Sequence, residues 1–357
     1  MEYNKNIIEK LKLQIKNQIN EFEYNQEIVN EMYTKFKTNN RLKEEGTILK
    51  IINNQIIIEF MCKKEINRTK AIISLINKSI EYIKKKKMNF PDTILFLFVS
   101  DVYAYFDQEL PLFVMAKPKN KKGILIPDNT FKSHLNVHKI SENWETTKSK
   151  CIKSIIPFEK KKDILFFIGG NTDTGRQNIR EGFYKLSKGD KVLGLEVNKT
   201  KLPLQIEFAH NRDLSEFTQF KYLLNLPGNQ PWSYRFKYLF LTQSLVINID
   251  VRQHFKDVDY FNNTWINFFD IIFEPNIDYV NLEYYWNEVN QAYNDYQFIK
   301  LVKDLELTYK YYDKNPKEAI HMANSGYEKV LNITDDLISE SIYLLVYYYA
   351  KKINQFL

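Results

Sequence analysis

The sequence predicts an α/β protein whose C-terminal half is built on a parallel sheet with helices on both faces. From Ile164 onward, apolar strands alternate with helix-periodic segments, the pattern of β-α-β units. Earlier in the chain, residues 93–99 (Thr-Ile-Leu-Phe-Leu-Phe-Val) are apolar without alternation, as in a strand buried on both faces. The length of 357 residues exceeds what one core usually supports, so two domains are expected.

Taken in order, residues 5–37 carry Ile and Leu periodicity and read as one or two helices. Residues 47–52 and 55–60 flank Asn53-Asn54, a pair that tolerates the positive φ of a two-residue hairpin turn. Residues 66–86 form an amphipathic helix on Ile72, Ile73, Ile76, Ile80 and Ile83, and Lys84 to Lys87 make a solvated end suited to the helix dipole. The buried run 93–99 is expected to be a parallel strand, and it ends at Ser100-Asp101. A second apolar run, 112–116, leads through a Lys-rich loop to Ile124-Leu125-Ile126-Pro127-Asp128. Residues 132–160 are polar, helical or irregular, and serve as the candidate linker.

In the C-terminal half, the helix after Thr174 places Ile179, Phe183 and Leu186 on one face, and Gly189 stops it. The helix after Ser233 buries Phe236, Leu239 and Phe240 and is followed by a strand over residues 245–249. The last helix starts near Thr334-Asp335 and presents Ile338, Ile342, Leu345, Val346 and Tyr349.

Composition excludes several function classes. Apolar residues make up 44% and charged residues 27%, the balance of a globular chain. A net charge of +7 is compatible with a phosphate-bearing ligand but is far from a nucleic-acid-binding tail. Cys62 and Cys151 are the only cysteines, so neither a disulfide framework nor a zinc cluster is expected. His134, His138, His210, His254 and His321 lack metal-ligand spacing, and no Ser-His-Asp or Cys-His grouping stands out. Met1-Glu2-Tyr3-Asn4-Lys5 lacks the apolar core of a signal peptide, and no stretch approaches the roughly 18 apolar residues of a membrane span. A cytoplasmic location is the resulting expectation.

Two stretches share one design: an apolar strand, a Gly-containing turn, a hydroxyl residue, then a helix with arginine in its first turn. One runs from Ile164 through Gly169-Gly170, Thr172 and Thr174 to Arg176, with Arg180 a turn further on. The other runs from Tyr222 through Asn225, Gly228 and Trp232-Ser233 to Arg235-Phe236. A helix N-terminus already carries about half a positive charge, so arginine there makes sense when an anion sits between the two. A diphosphate fits that description. Simpler roles stay open: Gly169-Gly170 as a strand end, Arg180 in a surface salt bridge, Ser233 as an N-cap, Asp101 as a turn cap. Asp101 at the end of a buried strand is equally suited to act as a general base.

These residues resemble glycosyltransferase family 90. Lys221-Tyr222-Leu223-Leu224-Asn225-Leu226, Gly228, the block from Trp232 to Phe240, and Ser244-Leu245-Val246 carry the most specific likeness. The loop from Phe167 to Arg176 is similar to the family's phosphate loop, with Gly170, Thr172 and Arg176 in register and Ile168 where an arginine is usual. The stretch from Pro275 to Val280 is similar too, with Asp278 where a histidine is usual. The likeness covers residues from about 90 to 357.

The resemblance implies a GT-B architecture, two Rossmann-like domains facing a central cleft. Residues 1–160 would form the acceptor-side domain and residues 161–333 the UDP-sugar domain, with the helix 334–357 packing back on the first. It further implies inverting transfer of glucose or xylose from a UDP-sugar to a hydroxyl of a protein or glycan. Asp101 would be the base, and Gly170, Thr172, Thr174, Arg176, Arg180, Gly228, Trp232, Ser233, Arg235 and Phe236 would bind the donor. No metal is expected, because the arginines would offset the diphosphate charge. The alternatives are a catalytically inactive UDP- or sugar-binding protein, a basic nucleic-acid-binding protein and, last, a nucleotide hydrolase.

Overall fold

The computed structural model describes residues 2–100, 110–132, 134–135, 141–170, 178–190, 202–208, 212–228, 233–254, 265–287 and 295–356. The chain opens with α1 (Glu2–Asn20), α2 (Gln26–Thr38) and α3 (Asn40–Glu45). Asn25 caps α2 and Asn39 caps α3 through their side-chain oxygens, so the Asn-rich composition serves helix ends. The expected hairpin is present as β1 (Gly46–Ile52) and β2 (Gln55–Phe60), with Asn53 and Asn54 at φ 51° and 62°.

After α4 (Ile66–Lys85) comes β3 (Thr93–Phe98), buried along its whole length. Five short strands follow: β4 (Phe113–Val114), β5 (Ala116–Pro118), β6 (Ile124–Leu125), β7 (His134–Leu135) and β8 (Ser141–Glu142). The first sheet has the order β2-β1-β3-β4-β6. The expectation of a parallel β3 is met on one side only, since it runs parallel to β4 but antiparallel to β1. Continuous apolarity reports burial on both faces and carries no information on strand direction.

Residues 141–160 are not a linker. They contain α5 (Trp144–Ser154), whose first residue is fully buried between Phe131 and Tyr238, with ring centroids 5.1 and 5.0 Å away. The Trp144 indole N–H donates to the Ile333 carbonyl at 2.6 Å, which satisfies its one polar atom.

The second sheet is wholly parallel among the described residues. Its elements are β9 (Lys162–Gly169), α6 (Asn178–Lys188), β10 (Leu204–Phe208), β11 (Phe220–Asn225), α7 (Arg235–Phe240), β12 (Leu245–His254) and, after β13 (Trp265–Asn267), β14 (Val280–Asn287). The order is β10-β9-β11-β12-β14. Counted along the chain this is a doubly wound arrangement whose order reverses between β9 and β11. Along β9, Phe166 and Ile168 enter one hydrophobic cluster while Leu165 and Phe167 enter another, so both faces are covered.

The chain closes with α8 (Asp295–Lys314), α9 (Pro316–Leu331) and α10 (Asp335–Ile353). Thr334 caps α10, which buries Ile338, Ile342, Leu345, Val346 and Tyr349 and packs on α4 and α1. One hydrophobic cluster therefore runs from Ile7 through β3 and Phe166 to Tyr349. No helix among the described residues is long and apolar enough to cross a membrane.

Candidate functional site

In a sheet of this order, ligands collect outside the carboxyl ends of the strands where the order reverses. That point lies between Gly169-Gly170, closing β9, and Asn225 to Gly228, closing β11. Two arginines meet there. Arg180, in the first turn of α6, donates from Nη1 to the Gly170 carbonyl at 2.7 Å, and its Cζ lies 5.2 Å from the centre of the Phe167 ring. Arg235, the first residue of α7, places its Cζ 4.9 Å from the same ring, and its backbone N–H donates to Ser233 Oγ at 3.2 Å. A Cβ on Gly169 would lie 2.9 Å from Arg235 Nη2 and 2.8 Å from the Phe167 ring. Glycine at this strand end is what lets the guanidinium reach the backbone.

No carboxylate among the described residues pairs with either guanidinium. Arg180 is only 5% exposed, so it is not the surface salt-bridge residue its helical position allowed. Arg180 Nε and Arg235 Nη1 are both buried without an acceptor among the described residues. Burial pushes Arg235 down to about 9, with the Arg180 charge adding to the effect, and burial pushes Arg180 down to about 10. Holding two like charges this way costs several kcal/mol unless an anion joins them, as an order of magnitude.

An acceptor completes the polar surface. Asn225, Asn248 and Asn281 form a ladder across β11, β12 and β14, with amide contacts of 2.7 and 2.8 Å, and Asn281 Nδ2 lies 3.4 Å from Asp250 Oδ2. Because a carboxylate can only accept, Asp250 orients each amide in turn. The last oxygen, Asn225 Oδ1, is left buried and unpaired at the end of β11.

Of the residues expected at the site, Gly170, Arg180, Ser233 and Arg235 come together here, with Gly228 just beyond β11. Asp101, Thr172, Thr174, Arg176 and Trp232 lie outside the described residues. Phe236 packs in the core, edge-on to Phe240 and Tyr279 at 5.1 and 4.9 Å. The helix behind Ser233 is also shorter than the dipole idea requires. With six residues in α7, the positive charge at this end comes from the Arg235 guanidinium. Phe167, the platform for both arginines, opens the loop that resembles the family's phosphate loop, but nothing in an apolar strand marks its ring as a seat for cations.

The two departures from the family pattern are absorbed by packing. Ile168 is buried in the hydrophobic cluster with Phe166. The fully buried Asp278 accepts from Lys329 Nζ, Ser325 Oγ and the Glu274 backbone N–H, each at 2.6 Å. Near the start of α7, Asp128 accepts from Lys237 Nζ at 2.7 Å, and both are buried. Burial, helped by the Asp128 charge, pushes the neighbouring Asp270 carboxyl up to about 7.

Over 189 residues the chain is 26% identical to "O-glucosyltransferase rumi" of Drosophila pseudoobscura pseudoobscura. The match takes in 49% of this chain but only 42% of that relative's length. The pattern described as glycosyl transferase family 90 matches residues 13–355, reaching well before the residue near 90 where the sequence resemblance faded. Spanning nearly the whole chain, that match places the protein in glycosyl transferase family 90.

Proposed function

We propose that the protein is an inverting glycosyltransferase that moves glucose or xylose from a UDP-sugar to a hydroxyl of a protein or glycan. The observation that carries this is the pair of guanidiniums at the reversal point of a parallel sheet, Arg180 buried and Arg235 half-buried with its Nη1 shut away from solvent, unpaired among the described residues. A diphosphate supplies the missing negative charge and the acceptor oxygens for Arg180 Nε and Arg235 Nη1. Asn225 Oδ1 stands ready for a hydroxyl or N–H of the same ligand. The two parts of the chain would face one another in the GT-B manner, with the acceptor on the N-terminal side. The relative's printed name, an O-glucosyltransferase, agrees with a hydroxyl acceptor.

In the proposed step, the Asp101 carboxylate takes the proton of the acceptor hydroxyl. The freed oxygen attacks the anomeric carbon from the face opposite UDP, and the carbon–oxygen bond to UDP breaks as the new glycosidic bond forms. The negative charge growing on the leaving diphosphate meets the two guanidiniums, a stabilisation that strengthens as the bond breaks. Transfer is therefore expected to persist in a chelator. General-base assistance of this kind is worth roughly 10²–10⁴-fold.

Asp101→Asn is expected to lose transfer by about that factor while UDP binding, followed by calorimetry, is retained. Transfer near the unaltered rate would move the base elsewhere. A panel of UDP-sugars, read by UDP release without acceptor, identifies the donor. Ile168, where the family usually has arginine, gives weight to a second reading, a protein that binds UDP and does not turn over. Tight UDP binding with no release from any sugar would select it.

A further inference from the structure

We infer that Lys237 and Asp128 form a positioning pair that sets the Arg235 guanidinium against Phe167 and Gly169. The inference rests on the proposed diphosphate site for its functional consequence, and on the geometry alone for the positioning itself. Lys237 Nζ donates to Asp128 Oδ2 at 2.7 Å and to the Tyr234 carbonyl at 3.2 Å. That carbonyl belongs to the peptide unit whose N–H is Arg235's, and the N–H in turn donates to Ser233 Oγ at 3.2 Å. Both polar ends of the peptide plane entering Arg235 are thus held, one by Lys237 and one by Ser233.

The support under Lys237 is itself rigid. Asp128 Oδ1 accepts from the backbone N–H of Thr130 at 3.0 Å and from the Thr130 hydroxyl, which fixes the carboxylate in the turn of residues 129–131. The Thr130 carbonyl accepts from Tyr238 Oη at 2.7 Å, so successive residues of α7 grip one turn. The ammonium lies 4.6 Å from the Phe131 ring and 4.9 Å from the Tyr238 ring, and these aromatic walls leave it little room to move. The far end of α7 is tied as well: Lys161 Nζ donates to the carbonyls of Thr242 and Gln243 at 2.7 and 2.9 Å.

A short helix has little intrinsic stability, so the direction of its first side chain depends on such ties. Without Lys237, the Tyr234 carbonyl and the Asp128 carboxylate lose their shared partner. The start of α7 can then rotate, carrying Arg235 off the Phe167 ring. Arg180 is held by the Gly170 carbonyl from α6, with no contact to this pair, and serves as an internal reference.

The test uses two readouts on the full chain, unaltered and as Lys237→Met. In the first, phenylglyoxal labelling of arginines is located by mass spectrometry under native conditions. Labelling of Arg235 is expected to rise several-fold in the variant while Arg180 stays constant; an unchanged Arg235 rate overturns the inference. In the second, UDP affinity is measured alone and in an Arg235→Ala background. A loss of about tenfold is expected in the first background and little further loss in the second, because a misplacement of about 1 Å is enough to cost this much. Equal losses in both backgrounds show a general structural role and overturn it. If UDP fails to bind the unaltered protein while the labelling contrast holds, the positioning stands and the diphosphate reading falls. Asp128→Asn, which keeps an oxygen for Thr130, repeats both readouts should Lys237→Met not fold.

Discussion

Lys329 and Arg235 are both cations taken largely out of water, yet their surroundings are opposite. Around Lys329 the charge is matched: its ammonium lies 2.6 Å from Asp278, whose other oxygen accepts from Ser325. Around Arg235 the charge felt is that of another cation, Arg180, and its Nη1 has no acceptor among the described residues. Lys161 stands between the two cases, with neutral oxygens from Thr242, Gln243 and Ser244 around its ammonium. Among the described residues nothing matches the buried Arg180 and the half-buried Arg235, and an unmatched pair of cations adds nothing to stability. The contrast sets charges that hold the molecule together apart from charges that the proposed diphosphate would match.

The largest effect is expected where the matched charge is broken. Asp278→Ala leaves Lys329 with only the more distant Glu274, at 3.5 Å, and should lower unfolding free energy by about 3 kcal/mol in urea titrations, with UDP affinity of the folded protein intact. A loss below about 1 kcal/mol would place this pair among weak surface bridges and blunt the contrast.

Next comes Asp270, whose carboxyl is pushed from 3.8 up to about 7. A raised folded-state value means the native state favours the protonated form. Its contribution is therefore complete below pH 4, fades as pH rises and is gone above about 7. Asp270→Asn should flatten stability across that interval, an effect on the order of a few kcal/mol, and be the more stable protein at pH 8. Parallel pH–stability curves for the two proteins would show that Asp270 does not titrate there.

For the unmatched charge, Arg235→Ala should weaken UDP by at least about tenfold, the scale of one charge-assisted hydrogen bond, while leaving the melting temperature equal or higher. Unchanged affinity would remove Arg235 from the site, and a large fall in melting temperature would make it structural. The smallest change is Gly169→Ala. Its methyl would meet Arg235 Nη2 at 2.9 Å and the buried Phe167 ring at 2.8 Å, so a few-fold weaker UDP affinity is expected, with a stability loss of about 1 kcal/mol from overpacking. Affinity equal to that of the unaltered protein would mean that the guanidinium has room to spare.

Periodicity and turn chemistry made much of the fold legible. Asn53-Asn54 specify the hairpin through their tolerance of positive φ, and Ile179, Phe183 and Leu186 specify the buried face of α6. The strands β9, β11 and β12 were equally plain, because short-range pattern is all that such elements need. Gly170, Ser233 and Arg235 stand out in the sequence because an arginine behind a glycine turn is unusual at a helix start, and the fold brings them to one end of the sheet. Leu204–Phe208 was not recognised as a strand, its five residues offering too little pattern.

By itself the sequence determined the strongly patterned helices and strands, and that arginines stand where two strands end. Only the tertiary structure decided that β9 and β11 are neighbours with the order reversing between them, that Arg180 is buried, and that Lys237 meets Asp128 across 109 positions. The same holds for β3 pairing antiparallel with β1, and for Trp144 turning an expected linker into a packed helix. The physical reason is one of range. A side-chain pattern is set by the few residues of a turn or strand, whereas pairing, burial and the matching of charge depend on segments that meet only once the chain has folded.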